Sequence, residues 1–160
     1  MELSRSPAPT IREATITDLP AIVALLADDV IGSVRESAHT PLDPAYEQSF
    51  LAVDADPDEL LVVASIGTDV VATLQCTFLH HLSHRGSVRA HIESVRVASA
   101  FRGHGIGHQL MEWTLARARE RGARVAQLST DKSRADAHRF YESLGFRATH
   151  EGMKLQLPPP

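Results

Sequence analysis

Leu60 to Ile66 and Val70 to Leu79 are runs of strand-forming residues on either side of Gly67-Thr68-Asp69, and in the second, polar and apolar residues alternate from Ala72 to Phe78. That spacing predicts two strands paired as a hairpin. In the second strand Ala72, Leu74, Cys76 and Phe78 share one face, and Val71, Thr73, Gln75 and Thr77 share the other. Alternation returns at His91 and breaks between Ala98 and Phe101, before a glycine-rich turn and a helix marked by Ile106, Leu110, Met111, Leu115 and Ala118, which Gly122 ends. Upstream, Ile11 to Ala14 reads as a short strand. Thr17 reads as the N-cap of a helix with Leu19, Ile22, Val23 and Leu26 on one face. Between Asp28 and Pro41 the periodicity fades into a loop or frayed helix end, and Asp43-Pro44 then opens a helix carrying Tyr46, Phe50 and Val53. Downstream, Val125 to Ser129 reads as a strand and Ser133-x-x-Asp136 as a capping-box variant. The helix it opens has Ala137, Phe140, Tyr141 and Leu144 on one stripe and ends at Gly145. Phe146 onward reads as a strand, with Met153 to Leu157 pairing beside it.

The resulting order is β-α-α-β-β-β-α-β-α-β-β, and composition alone gives an α/β or α+β domain. At 160 residues with 43% hydrophobic content the chain is long and apolar enough for one cored domain. The expected limits are a disordered tail over 1–10 and a single domain over 11–157. The net charge of -4 argues against bulk binding to nucleic acid or to an anionic membrane. One cysteine, Cys76, excludes an internal disulfide framework and suits a reducing compartment. The opening residues carry no apolar run that would serve as a signal peptide, so a cytoplasmic location is expected. Cys76 falls on the apolar face and reads as core rather than nucleophile. His80, His81 and His84 lack partners at structural-zinc spacing, so no metal is expected.

A strand that enters a helix through glycines gathers unpaired backbone N–H groups where the helix dipole favours negative charge. Here the turn is Arg102-Gly103-His104-Gly105-Ile106-Gly107. With its flanks, and with A-H-R-F-Y-E-S-L-G-F over 137–146, it resembles the signature of the GCN5-related N-acetyltransferase family. The resemblance spans roughly the second half of the chain and implies that family's mixed sheet flanked by helices.

It also implies acetyl-coenzyme A as co-substrate, with Arg102 to Gly107 around its pyrophosphate and Val95 and Val97 along its pantetheine arm. Tyr141 becomes the acid that protonates the leaving sulfur. The family often has an asparagine seven positions before this tyrosine; the present chain has Arg134, read as reaching a cofactor phosphate instead. The segment containing Glu36 would overhang the acceptor cleft, and Gln75 faces either that cleft or solvent. Amine attack needs a base, and His91 and Glu93, two apart on one face of the strand, are the candidates. I-E-S-V-R-V resembles the commoner bacterial arrangement and favours Glu93, with His91 as backup or relay. With no plausible nucleophile, direct transfer in a ternary complex is expected. A small-molecule amine is the favoured acceptor; a protein amine, a non-catalytic acyl-coenzyme A sensor and a homodimer all stay open.

Overall fold

The hairpin around Gly67 forms as expected from the two strand runs that flank the turn, β2 (Glu59–Ile66) pairing antiparallel with β3 (Asp69–His80). The computed structural model describes residues 8–28 and 32–158. The expected tails at 1–7 and 159–160, and positions 29–31 of the expected loop, lie outside the described residues. β1 (Thr10–Glu13) pairs antiparallel with β2, β4 (Val88–Val97) antiparallel with β3, and β5 (Ala123–Leu128) parallel with β4. The sheet order is therefore β1-β2-β3-β4-β5. The strand begins at Thr10, inside the stretch expected to be tail.

Both faces of the sheet are covered. On one, Val62, Leu74, Cys76 and Ile92 pack with Leu110 and Met111 of α5 (Ile106–Glu120). On the other, Leu19 and Val23 of α1 (Leu19–Ala27) and Phe50 of α3 (Pro44–Ala55) close over Leu61. Single turns at α2 (Gly32–Arg35) and α4 (Ser83–Gly86) and the helix α6 (Ala135–Ser143) complete the elements. Asp43 caps α3 as expected, its carboxylate accepting from the Ala45 N–H at 2.9 Å.

Three expectations are corrected. The start of α1 is set by Thr15 and Asp18 rather than by Thr17. A 3-10 turn over Ile16–Asp18 precedes the helix, and Asp18 Oδ2 accepts from the Thr15 N–H at 2.8 Å. Ser133 does not cap α6, because Asp131 two residues earlier takes both its N–H at 2.9 Å and its hydroxyl at 2.6 Å. The two last strands do not form: no residue from 146 to 158 is in a strand. A period-two pattern becomes a strand only where a ladder partner and a covering layer receive it. Met153, Leu155 and Leu157 stay 96%, 84% and 81% exposed.

Asp18 is buried and pairs bidentately with Arg12, Nη1 to Oδ2 at 2.7 Å and Nη2 to Oδ1 at 2.9 Å. The Arg12 bonds hold its carboxyl down at about 2, against the opposing push of burial. A depressed carboxyl contributes stability that is present above the unfolded value near 4 and is lost as pH falls toward about 2. With Arg12 partly exposed, the expected contribution is about 1–2 kcal/mol. Urea unfolding should show Asp18→Asn losing that amount at neutral pH and about half of it at about pH 3; an equal loss at both would assign the effect to packing.

Candidate active site

β4 carries the site because its two ends are treated differently. Through Ile92 it is paired on both edges, with β3 on one side and, from Val88 to Ile92, with β5 on the other. β5 stops at Leu128, opposite Ile92, while β4 runs on to Val97. The edge from Glu93 to Val97 therefore faces a gap where β5 has ended. At the same point the strand bulges: Gln75 pairs with Glu93 but Thr73 pairs with Arg96, and Ser94 takes a left-handed φ of 55°. A bulge of this kind re-aims the side chains beyond it. Val95 and Val97 accordingly pack against the α5 side of the sheet, while Glu93 stays opposite Gln75.

Register places Glu59, Thr77, His91 and Gln127 in one row across β2, β3, β4 and β5, with Gln75 and Glu93 in the next row. Glu59 Oε2 accepts from Gln75 Nε2 at 2.8 Å and its Oε1 from Thr77 Oγ1 at 2.9 Å. His91 Nε2 lies 3.4 Å from Glu93 Oε1, and the carboxylate is 56% exposed against 25% for the imidazole. The base candidates are thus a contacting pair, with Glu93 the more open. Glu36 is tied to α3 rather than to the sheet, its Oε2 accepting from Tyr46 Oη at 2.8 Å.

The glycine turn is left-handed at two of its glycines. Gly103 and Gly105 both have φ of 78°, which favours glycine, and Gly105 is the N-cap of α5. A Cβ built at either meets nothing within 4 Å, so the space above the loop is open to a ligand. At Gly107 a Cβ would come within 3.2 Å of Phe140 and 3.6 Å of Val97. That close approach joins the end of β4, the start of α5 and α6. Arg102 turns back from the loop: its Nε donates to the Val97 carbonyl at 3.0 Å and its Nη2 to the Asp28 carbonyl at 3.1 Å. Asp28 Oδ2 also accepts from the Ser99 N–H at 3.0 Å. His104 Nδ1 sits 2.9 Å from the Arg102 carbonyl oxygen.

Tyr141 stacks edge-on between Phe140 and Phe146, with ring centroids 5.1 and 6.0 Å away. Burial raises its phenol above the ordinary value, and the fields of Arg96 and Arg134 oppose that shift. The hydroxyl therefore keeps its proton at neutral pH. Arg134 stands at the N-cap of α6, where its charge acts on Tyr141. Cys76 is buried, and burial followed by the charge of Glu59 pushes its thiol up to about 11. A thiol that holds its proton so tightly is a poor nucleophile.

Sequence reading missed Glu59, Gln127 and Asp28. The first two have no local motif, since their roles depend on cross-strand register, and Asp28 acts across 71 positions of sequence.

A sequence profile of the acetyltransferase (GNAT) family matches residues 14–146. The chain belongs to the GNAT family. GNAT relatives include the aminoalkylphosphonate N-acetyltransferase of Salmonella typhimurium, 32% identical over 145 residues, covering 90% of this chain and 88% of the relative. An L-methionine sulfoximine/L-methionine sulfone acetyltransferase of Pseudomonas aeruginosa is 30% identical over 139 residues, covering 86% and 79%. Among solved structures, a transcriptional regulator from Bacillus halodurans superposes with a TM-score of 0.91 at 50% identity, covering 93% of this chain and 99% of that one. The mixed sheet and flanking helices thus agree with the expected fold class, without its last two strands.

Proposed function

We propose that this GNAT protein is an acetyl-coenzyme A-dependent N-acetyltransferase that transfers acetyl directly to a primary amine of a small molecule. The observation that carries the reading is the end of β4. An open strand edge from Glu93 to Val97 leads into a glycine turn at the N-terminus of α5, with an exposed carboxylate just before the bulge. Acetyl-coenzyme A supplies the thioester carbonyl. The backbone of Val95 and Val97 holds the pantetheine amides, and the N–H groups from Gly103 to Gly107 hold the pyrophosphate. Arg134 adds positive charge near that end of α6. Glu93 accepts the proton of the attacking amine, directly or through water, and Tyr141 Oη gives a proton to the leaving sulfur. The high thiol value of Cys76 supports transfer without an acetyl-enzyme. Gln75 and Glu36 are assigned to the acceptor side of the cleft.

A small-molecule acceptor is supported by the two relatives whose names give small amines as substrates. A second reading, a non-catalytic acyl-coenzyme A-binding regulator, is favoured by the name of the Bacillus halodurans structure. Thiol release from acetyl-coenzyme A across a panel of aminoalkylphosphonates, amino acids, aminoglycosides and peptides separates the two. The proposal expects acceleration by one class of small amine; tight cofactor binding with no acceleration by any amine would support the regulator.

Tyr141→Phe keeps the ring between Phe140 and Phe146, so it should cost the fold no more than about 1 kcal/mol. If the hydroxyl is the acid, kcat falls while cofactor affinity holds, because the interaction strengthens only in the transition state. The loss should shrink with an acyl donor of more acidic thiol. Equal losses with both donors, or wild-type rates, would leave Tyr141 as a packing residue.

A further inference from the structure

We infer that Arg89 and Gln127 are positioning residues that fix which ring nitrogen of His91 carries the proton, so that His91 presents an N–H toward the Glu93 carboxylate 3.4 Å away. The inference rests on reading His91 and Glu93 as the proton-handling pair. Arg89, His91 and Glu93 are alternate residues of β4 and share a face, and Gln127 sits opposite His91 on β5. Arg89 Nη1 donates to Gln127 Oε1 at 2.9 Å. Gln127 Nε2 lies 3.0 Å from His91 Nδ1, and His91 Nε2 lies 3.4 Å from Glu93 Oε1.

The direction of this chain follows from what each group is able to donate. A guanidinium has no acceptor, so it must meet the oxygen of the amide. The amide nitrogen, a donor only, is then turned toward His91, whose Nδ1 must accept. A neutral ring with a bare Nδ1 carries its proton on Nε2, the nitrogen that faces the Glu93 carboxylate. Thr77, the neighbour of His91 on β3, does not compete, because its hydroxyl is already given to Glu59. Arg89 therefore sets a proton two groups away without touching Glu93. His91 has no free lone pair aimed at the cleft, and the amine's proton goes to the open side of the Glu93 carboxylate.

Nitrogen-15 spectra of the imidazole rings of the intact protein, with His91 assigned by the signals lost in His91→Asn, test this in the absence of any amine. The expected result is a proton on Nε2 and a bare Nδ1 in the wild type. Gln127→Glu replaces the donor facing Nδ1 by an acceptor and keeps a partner for Arg89, so in the neutral ring, recorded at alkaline pH, the proton should move to Nδ1. In that variant kcat should fall by about tenfold or more with KM for acetyl-coenzyme A little changed, since the defect lies in orienting Glu93. Gln127→Met, which fills the same space without polar atoms, should give a mixture of the two tautomers and covers the case in which Gln127→Glu does not fold. A wild-type ring protonated on Nδ1, or spectra unchanged in both variants, would overturn the inference, as would a moved proton with an undiminished kcat. Because the spectra are taken on resting protein, an expected wild-type spectrum in a chain that transfers no acetyl would sink the proposed function and leave the proton placement standing.

Discussion

Glu93→Gln is expected to lower kcat/KM by about 10² to 10⁴ while leaving acetyl-coenzyme A binding within a factor of about two. The amide keeps the size of the side chain and, through its oxygen, the contact with His91 Nε2, so the fold and the bulge at Ser94 should survive. What it loses is the ability to take a proton. An ammonium has no lone pair with which to attack, so a site without its base waits for the small fraction of amine that is already neutral. His91→Ala should cost less, because it removes the donor that steadies Glu93 and leaves the acceptor in place. Steady-state rates for both variants at saturating cofactor check the ranking. If His91→Ala were the more damaging change, the imidazole would be the base; full activity in both would remove β4 as its source.

The second large effect is expected at Gly105. Its φ of 78° makes it the left-handed N-cap from which α5 starts, and a β-branched side chain there costs on the order of 1–2 kcal/mol in backbone strain alone. No protein atom within 4 Å opposes the new Cβ, so the valine would stand in the open space over the turn, where an anion must approach the N–H groups. Gly105→Val should therefore weaken acetyl-coenzyme A by at least tenfold, about 1.4 kcal/mol. His104→Ala should leave affinity nearly unchanged, since the cradle is backbone. Calorimetric titration of both variants, with circular dichroism to confirm the fold, reads the contrast. Unchanged affinity in folded Gly105→Val would show that the turn is not the cradle.

Much of this arrangement was legible in the sequence, because its determinants are local. The hairpin at Gly67 and the α5 stripe follow from periods of two and 3.6 residues. The turn from Arg102 to Gly107 follows from where its glycines fall between strand and helix. Pairing of His91 with Glu93 followed from their spacing, and the interruption of β4 was expected only a few residues later than the bulge at Ser94. What was not legible depends on partners distant in sequence. Gln127 meets His91 only because β5 lies parallel to β4 in one register, and nothing in A-R-V-A-Q-L announces it. Glu59 is an unremarked strand-starting residue until Gln75 and Thr77 are brought beside it. The misread segments have the same cause in reverse. Ser133 has the right neighbours for a cap but a stronger acceptor in Asp131, and Met153 to Leu157 alternate yet pair with no strand and stay exposed.

In the proposed reaction acetyl passes from acetyl-coenzyme A straight to an amine, with Glu93 taking the proton. Its most direct test is a single-turnover experiment with protein in excess of acetyl-coenzyme A, quenched at intervals and analysed by mass spectrometry of both the protein and the small molecules. The expected result is intact, unacetylated protein before amine is added, and acetylated amine with equal free coenzyme A after it, slowed in Glu93→Gln. Acetyl found on the protein before amine, or coenzyme A thioester left intact with every amine offered, would contradict it.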